Sequence, residues 1–198
     1  MKITEPSTAI TDYILALETL ILGILLLRGA LQTPVKLWAV AFFVLAIAAI
    51  AGGTFHGFID SLDPLAAHIL WKITLIAVGI ATFSMLSAAI LAFSNQRMIL
   101  FALAAIQFCV YIFFVARGND FRIVIFDYVP AMILIVILAY TAKAQSAGYI
   151  LTAVLLSFVG AGIQSSNIQL HKNFNHNDIY HVIQMIAMYF FYRAGKLL

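Results

Sequence analysis

Residues 37–58 read LWAVAFFVLAIAAIAGGTFHGF, an apolar run with no acid, lysine or arginine in it and a histidine near its end. As a helix rising 1.5 Å per residue, such a run is ~30 Å long, the thickness of a bilayer's hydrocarbon layer. A strand of a membrane barrel would alternate polar and apolar residues instead. Working outward, similar blocks recur at Tyr13 to Leu27, Leu65 to Phe93, Met98 to Ala116, Ile123 to Ala142, Tyr149 to Ile163 and Ile179 to Gly195. Between them stand short polar breaks: Gln32-Thr33-Pro34, Asp60 to Pro64, Ser94 to Arg97, Arg117 to Asp120, Lys143 to Ser146, and Ser165 to Asp178. The expected fold is all-α, an integral membrane bundle of seven transmembrane helices forming a single domain over residues 1–198.

Composition agrees. The 198 residues are 64% hydrophobic and 10% charged, where a soluble domain carries roughly 25% charged residues. No internal repeat interrupts the pattern. The first block carries Glu18, has acids ahead of it and lacks a small-x-small cleavage site, so it is expected to stay as a helix and not to be a cleaved leader. Cys109 falls mid-span and is expected to face lipid or pack.

In such a chain a net charge of +3 is a topology signal and not a nucleic-acid signal. Arg28, Lys36, Arg97, Lys143, Arg193 and Lys196 fall on one side without an acid. The other side mixes Lys2, Arg117, Arg122 and Lys172 with Glu5, Asp12, Asp60, Asp63, Asp120 and Asp178. The first side is expected to be cytoplasmic, with the N-terminus outside and the C-terminus inside, and a bacterial inner membrane is the default location.

Ionisable residues within spans are costly and usually mark a function or pair with one another. Glu18, Lys72 and Asp127 lie one to two turns into their helices from the N-terminal side, and His56, His68 and His181 stand near the same ends. Sorting into one half of the bundle predicts a polar cavity that opens on the outer side. Lys72 is expected within reach of Asp127 or Glu18, either as a structural ion pair or as a proton relay or substrate anchor. Among the histidines, His56, His176 and His181 form the sharper set. Neutral imidazole is the commonest zinc ligand, and three protein ligands plus a water make a hydrolytic site. Each histidine alone is more often a hydrogen-bonding residue at the membrane interface.

With those residues in place, the chain resembles the superfamily of seven-helix membrane hydrolases that includes alkaline ceramidases, adiponectin/progestin receptors and haemolysin-III-like proteins. His56 matches that superfamily's ligand late in helix 2. Asn177-Asp178-Ile179-Tyr180-His181 resembles its H-x-x-x-H run opening helix 7, with His181 as the second histidine. Asn177 stands where the first would be, with His176 shifted by one, and Gly52 stands where a serine precedes the helix 2 histidine by four. The assisting helix 3 aspartate corresponds to Asp60 or Asp63, or is replaced by His68.

The resemblance implies a zinc-dependent hydrolase acting on a lipid amide or ester. Its metal would be held by His56, His176 and His181, and protons would be shuttled by Asp60, Asp63 or His68. Its substrate would be a lipid-like small molecule entering from the bilayer. Two other classes compete: a proton- or ion-coupled transporter using Glu18, Lys72 and Asp127, and a ligand-binding receptor or sensor without catalysis.

Overall fold

Proline sets where the first three helices begin. Pro6, Pro34 and Pro64 each occupy the first turn of a helix, where the missing N–H would have had no intrahelical partner and the fixed φ is already helical. The computed structural model describes residues 3–166, 168–171 and 174–198. Its elements are α1 (Pro6–Arg28), α2 (Thr33–Phe58), a 3₁₀ turn (Ile59–Ser61), α3 (Pro64–Phe93), α4 (Arg97–Arg117), α5 (Arg122–Thr141) and α6 (Ala147–Gln164). A small antiparallel pair, β1 (Gln169–His171) and β2 (Phe174–Asn175), leads into α7 (His176–Gly195). The fold is therefore all-α apart from that short pair, and α1 to α6 are each long and apolar enough to cross a membrane.

Two caps fix the starts of α3 and α7. Asp63 accepts from the N–H groups of Leu65 and Ala66, both at 3.0 Å. Asn175 and Asp178 form a reciprocal capping box: the Asn175 side chain accepts from Asn177 and Asp178, and Asp178 accepts from the Asn175 N–H at 2.6 Å. α7 thus starts at His176, three residues ahead of the apolar block expected at Ile179. α1 starts at Pro6 and not at Tyr13, which carries Asp12 from a supposed loop into the second turn of a helix.

Six helices close a ring in the order α1, α2, α3, α5, α6, α7 and back to α1, while α4 packs outside against α3 and α5. On that outer seam Tyr111 lies against Gly79 and donates to the Leu75 carbonyl. α1 and α7 run in the same direction. Ser7 meets Asp178 and Thr11 meets His181 near their starts, and Leu26 lies beside Gly195 near their ends.

The outward faces are apolar and exposed, as at Ile14, Leu17 and Ile21 on α1 and Ile99, Leu103 and Ile106 on α4. Contiguous apolar surface on this scale suits hydrocarbon and not water as the surrounding medium. The inner faces supply the core around Trp38, Phe42, Leu86, Ile135, Ile150 and Phe191.

Candidate functional site

The ring encloses a cavity of about 280 Å³. Its walls are largely apolar: Leu15, Leu45, Ala49, Val78, Ala81, Val124 and Met132 come from four helices. Its mouth lies where α1, α3, α5 and α7 begin and α2 and α6 end, among His56, Trp71, Phe121, Gln164 and His176. Its far end is reached at Met85, Met188 and Phe191. From His176 to Phe191 along α7 is ~22 Å at 1.5 Å per residue.

That far end is sealed. Trp38, fully buried, donates its indole N–H to the Phe191 carbonyl at 2.9 Å and meets the Phe191 ring edge-on, with centroids 6.1 Å apart. Gly195 permits this closure, because a Cβ there would stand 2.5 Å from the indole.

Just inside the mouth is a buried polar pair. Asp12 Oδ1 lies 3.2 Å from His181 Nε2, and both side chains are less than a tenth exposed. His181 Nδ1 lies 2.9 Å from the Thr11 hydroxyl, which is itself 3.0 Å from the Thr8 carbonyl. If Thr11 donates to Thr8, its oxygen accepts from Nδ1–H, and a proton is then shared between Nε2 and Asp12. If Thr11 instead donates to Nδ1, the Nε2–H donates to an Asp12 carboxylate. Either way both ring nitrogens are engaged. The pair joins the first helix to the last, and Asp12, Gly52, His56 and His181 all border the cavity.

A second pair lies nearer the rim. His56 Nδ1 is 3.4 Å from Glu5, and the N–H groups of Thr4 and Glu5 donate to the carbonyls of Gly57 and His56. His56 holds the Glu5 carboxyl below its ordinary range, while partial burial pushes the other way. Phe55 and His56 both lie against Trp71, whose indole N–H donates to the Asn119 carbonyl at 2.7 Å.

The residues expected from sequence divide accordingly. His56, His176 and His181 all line the cavity. Among the described residues, however, no three His, Cys, Asp or Glu side chains come together as a metal's ligands would. Both ring nitrogens of His181 already have partners, so a metal there would take the place of Asp12 or Thr11.

Asp60 lies on the 3₁₀ turn, Asp63 caps α3 and His68 sits on its outer face. All three are exposed and outside the cavity lining.

The expected network of Lys72 with Glu18 or Asp127 is replaced by separate arrangements. Lys72 donates to the carbonyls of Val115 and of Gly118, the latter at 2.7 Å, which end α4. The last carbonyls of a helix lack N–H partners and carry its negative dipole end, so they satisfy an ammonium as a carboxylate would. Asp127 accepts from Gln107 Nε2 at 3.1 Å, linking α5 to α4. Glu18 keeps a buried oxygen with no partner among the described residues.

Asp12, Thr11 and Asp178 were not singled out from sequence. The signal for Thr11 and Asp12 is a polar stripe at helical spacing, Ser7, Thr8, Thr11 and Asp12, following Pro6, and that for Asp178 is its place three residues after Asn175, the spacing of a capping box.

A family model described as a family of unknown function (DUF6962) matches residues 7–198. The chain belongs to this family. No curated protein and no solved structure matches it. The DUF6962 match takes in both ends of the ring, including Asp12, His56 and His181, so the whole cavity lies within the family's extent; Glu5 lies just ahead of it.

Proposed function

We propose that this chain is a membrane-embedded binding protein that holds an elongated, mostly apolar molecule end-on inside its helix bundle, with the molecule's polar end at the level of Asp12 and His181. The observation that carries this reading is a cavity with apolar walls, one buried polar level near its mouth and one sealed end. Binding pockets of small molecules share this economy: apolar lining with a few convergent polar groups, at a volume of ~300 Å³ or more.

A conducting or transporting pathway would need polar groups on both sides of its midpoint. Here the far half is Met85, Met132, Met188 and Phe191, behind which Trp38 is buried, and the two threonines at that depth, Thr19 and Thr82, donate their hydroxyls to carbonyls of their own helices. In this reading all seven helices cross the membrane. The N-terminus is outside and the C-terminus cytoplasmic, because Arg28, Lys36, Arg97, Lys143, Arg193 and Lys196 gather at the sealed end. Reporter fusions at the two termini should report opposite faces.

The binding test uses the whole chain in lipid nanodiscs and tritiated 1-dodecanol. Saturable binding above that of empty nanodiscs is expected. Ala49→Phe and Ala81→Phe, which project rings into the cavity, should abolish it. Binding that never saturates, or that survives both substitutions, would overturn the reading.

A zinc-dependent hydrolase of a lipid amide or ester is the second reading, favoured by the common position of His56, His176 and His181 on the cavity wall. It requires about one zinc per purified chain and hydrolysis lost in His56→Ala and His181→Ala.

A further inference from the structure

An alkyl chain that leaves bilayer tails for an apolar cavity exchanges one hydrocarbon surrounding for another, so its burial contributes little selectivity. Discrimination between ligands then rests on the polar end. The polar level of this cavity has an asymmetry that says which kind of polar end it takes.

Asp12 lines the cavity and is 5% exposed. Its Oδ1 faces His181, but its Oδ2 is buried with no hydrogen-bond partner among the described residues. A buried acceptor without a donor is costly, more so when it belongs to a carboxylate. The neighbour across from that oxygen is Gly52 on α2, which also lines the cavity. A Cβ at Gly52 would stand 3.6 Å from Oδ2, 3.8 Å from Oδ1 and 3.7 Å from the Thr74 methyl, which is ordinary contact distance. The glycine of the cavity lining thus stands against the oxygen that lacks a donor, where a side chain would have fitted. The second torsion of an aspartate is broad, so a modest swing brings Oδ2 to the cavity surface.

We propose that Asp12 Oδ2, uncovered by Gly52, receives a hydrogen bond from the hydroxyl or ammonium head of a single-chain amphiphile, so that the cavity selects donor heads over carboxylate heads. A single chain follows from the cavity's 280 Å³, at the small end of ligand pockets. Rejection of a carboxylate follows because two acceptors would face one another across a desolvated gap with no donor between them. The inference rests on the binding reading above and deepens it.

The test compares tritiated 1-dodecanol, dodecylamine and dodecanoate on the whole chain in nanodiscs at neutral pH. The alcohol and the amine should bind at least about tenfold more tightly than the carboxylate, the factor expected of one hydrogen bond to a charged group. Gly52→Ser should erase that preference, because its hydroxyl, one bond beyond the Cβ, can donate to Oδ2 in place of the ligand. Gly52→Ala, which adds bulk without a donor, should keep the order of preference. Asp12→Asn should erase the preference as well, and the two glycine variants keep the question open to measurement should that protein fail to fold.

Equal binding of all three probes by the wild type, or an undiminished preference in Gly52→Ser, overturns the proposal while the cavity reading stands. Absence of saturable binding by every probe overturns both.

Discussion

Asp12 on the first helix and His181 on the last meet at 3.2 Å inside the bundle, and neither has another ionic partner among the described residues. Removing one member of such a pair leaves the other buried without its counterpart. His181→Ala should therefore destabilise the protein by ~3–5 kcal/mol, since it strands a carboxylate. Asp12→Ala should cost less, ~1–3 kcal/mol, since imidazole can stay neutral. The double variant should recover part of the sum. Thermal or denaturant unfolding in one detergent measures all three, and strictly additive losses would refute the coupling.

Lys72 gives a prediction opposite to the one its sequence position invites. Lys72→Met should cost about 1–3 kcal/mol by leaving the α4 terminal carbonyls of Val115 and Gly118 without their donor. Combining it with Asp127→Asn or Glu18→Gln should give losses that add to within ~0.5 kcal/mol, because neither carboxylate is its partner. Rescue by either acid substitution would restore the ion-pair reading.

The sealed end should be intolerant of bulk. Gly195→Ala pushes a methyl against the Trp38 indole and should cost ~1–3 kcal/mol through overpacking. In a Trp38→Leu background the same substitution should cost markedly less, and an unchanged cost would show that the indole is not what it meets.

Glu5 supplies a pH dependence. Its folded pKa is lowered beneath its ordinary value near 4.5, chiefly by the hydrogen bond with His56. Its stabilisation is therefore fully present above about pH 4.5 and is lost as pH falls through the folded value. The pair is partly exposed, with Glu5 at 40%, so the contribution is below ~1 kcal/mol after solvent screening. The N-terminal segment Thr4–Glu5 should become more susceptible to proteolysis below about pH 4.5, and Glu5→Gln should flatten that response.

How much of this was readable beforehand follows from which forces are local. The span expected at Leu65 to Phe93 is α3 at Pro64–Phe93, and Met98 to Ala116 is α4 at Arg97–Arg117, because apolar length and its polar breaks are properties of the chain itself. Apolarity alone starts α1 at Tyr13, whereas Pro6 starts it about two turns earlier, and those turns carry Asp12. His56, His176 and His181 all line the cavity, and their depth follows from counting along a helix. Their partners were not legible. Whether His181 meets a metal, a carboxylate or a threonine depends on α1 lying beside α7, a fact set by ring closure and not by spacing. The same holds for Lys72, whose partner is the end of α4.

The parallel course of α1 and α7 has a consequence for how the protein is made. The ribosome delivers Asp12 six helices ahead of His181, so the carboxylate must wait for its partner until α7 has emerged. The first helix is thus a provisional insertion, completed by the last. A nascent chain truncated before α7 should hold α1 loosely, and the quality-control proteases of the membrane would meet it in that state.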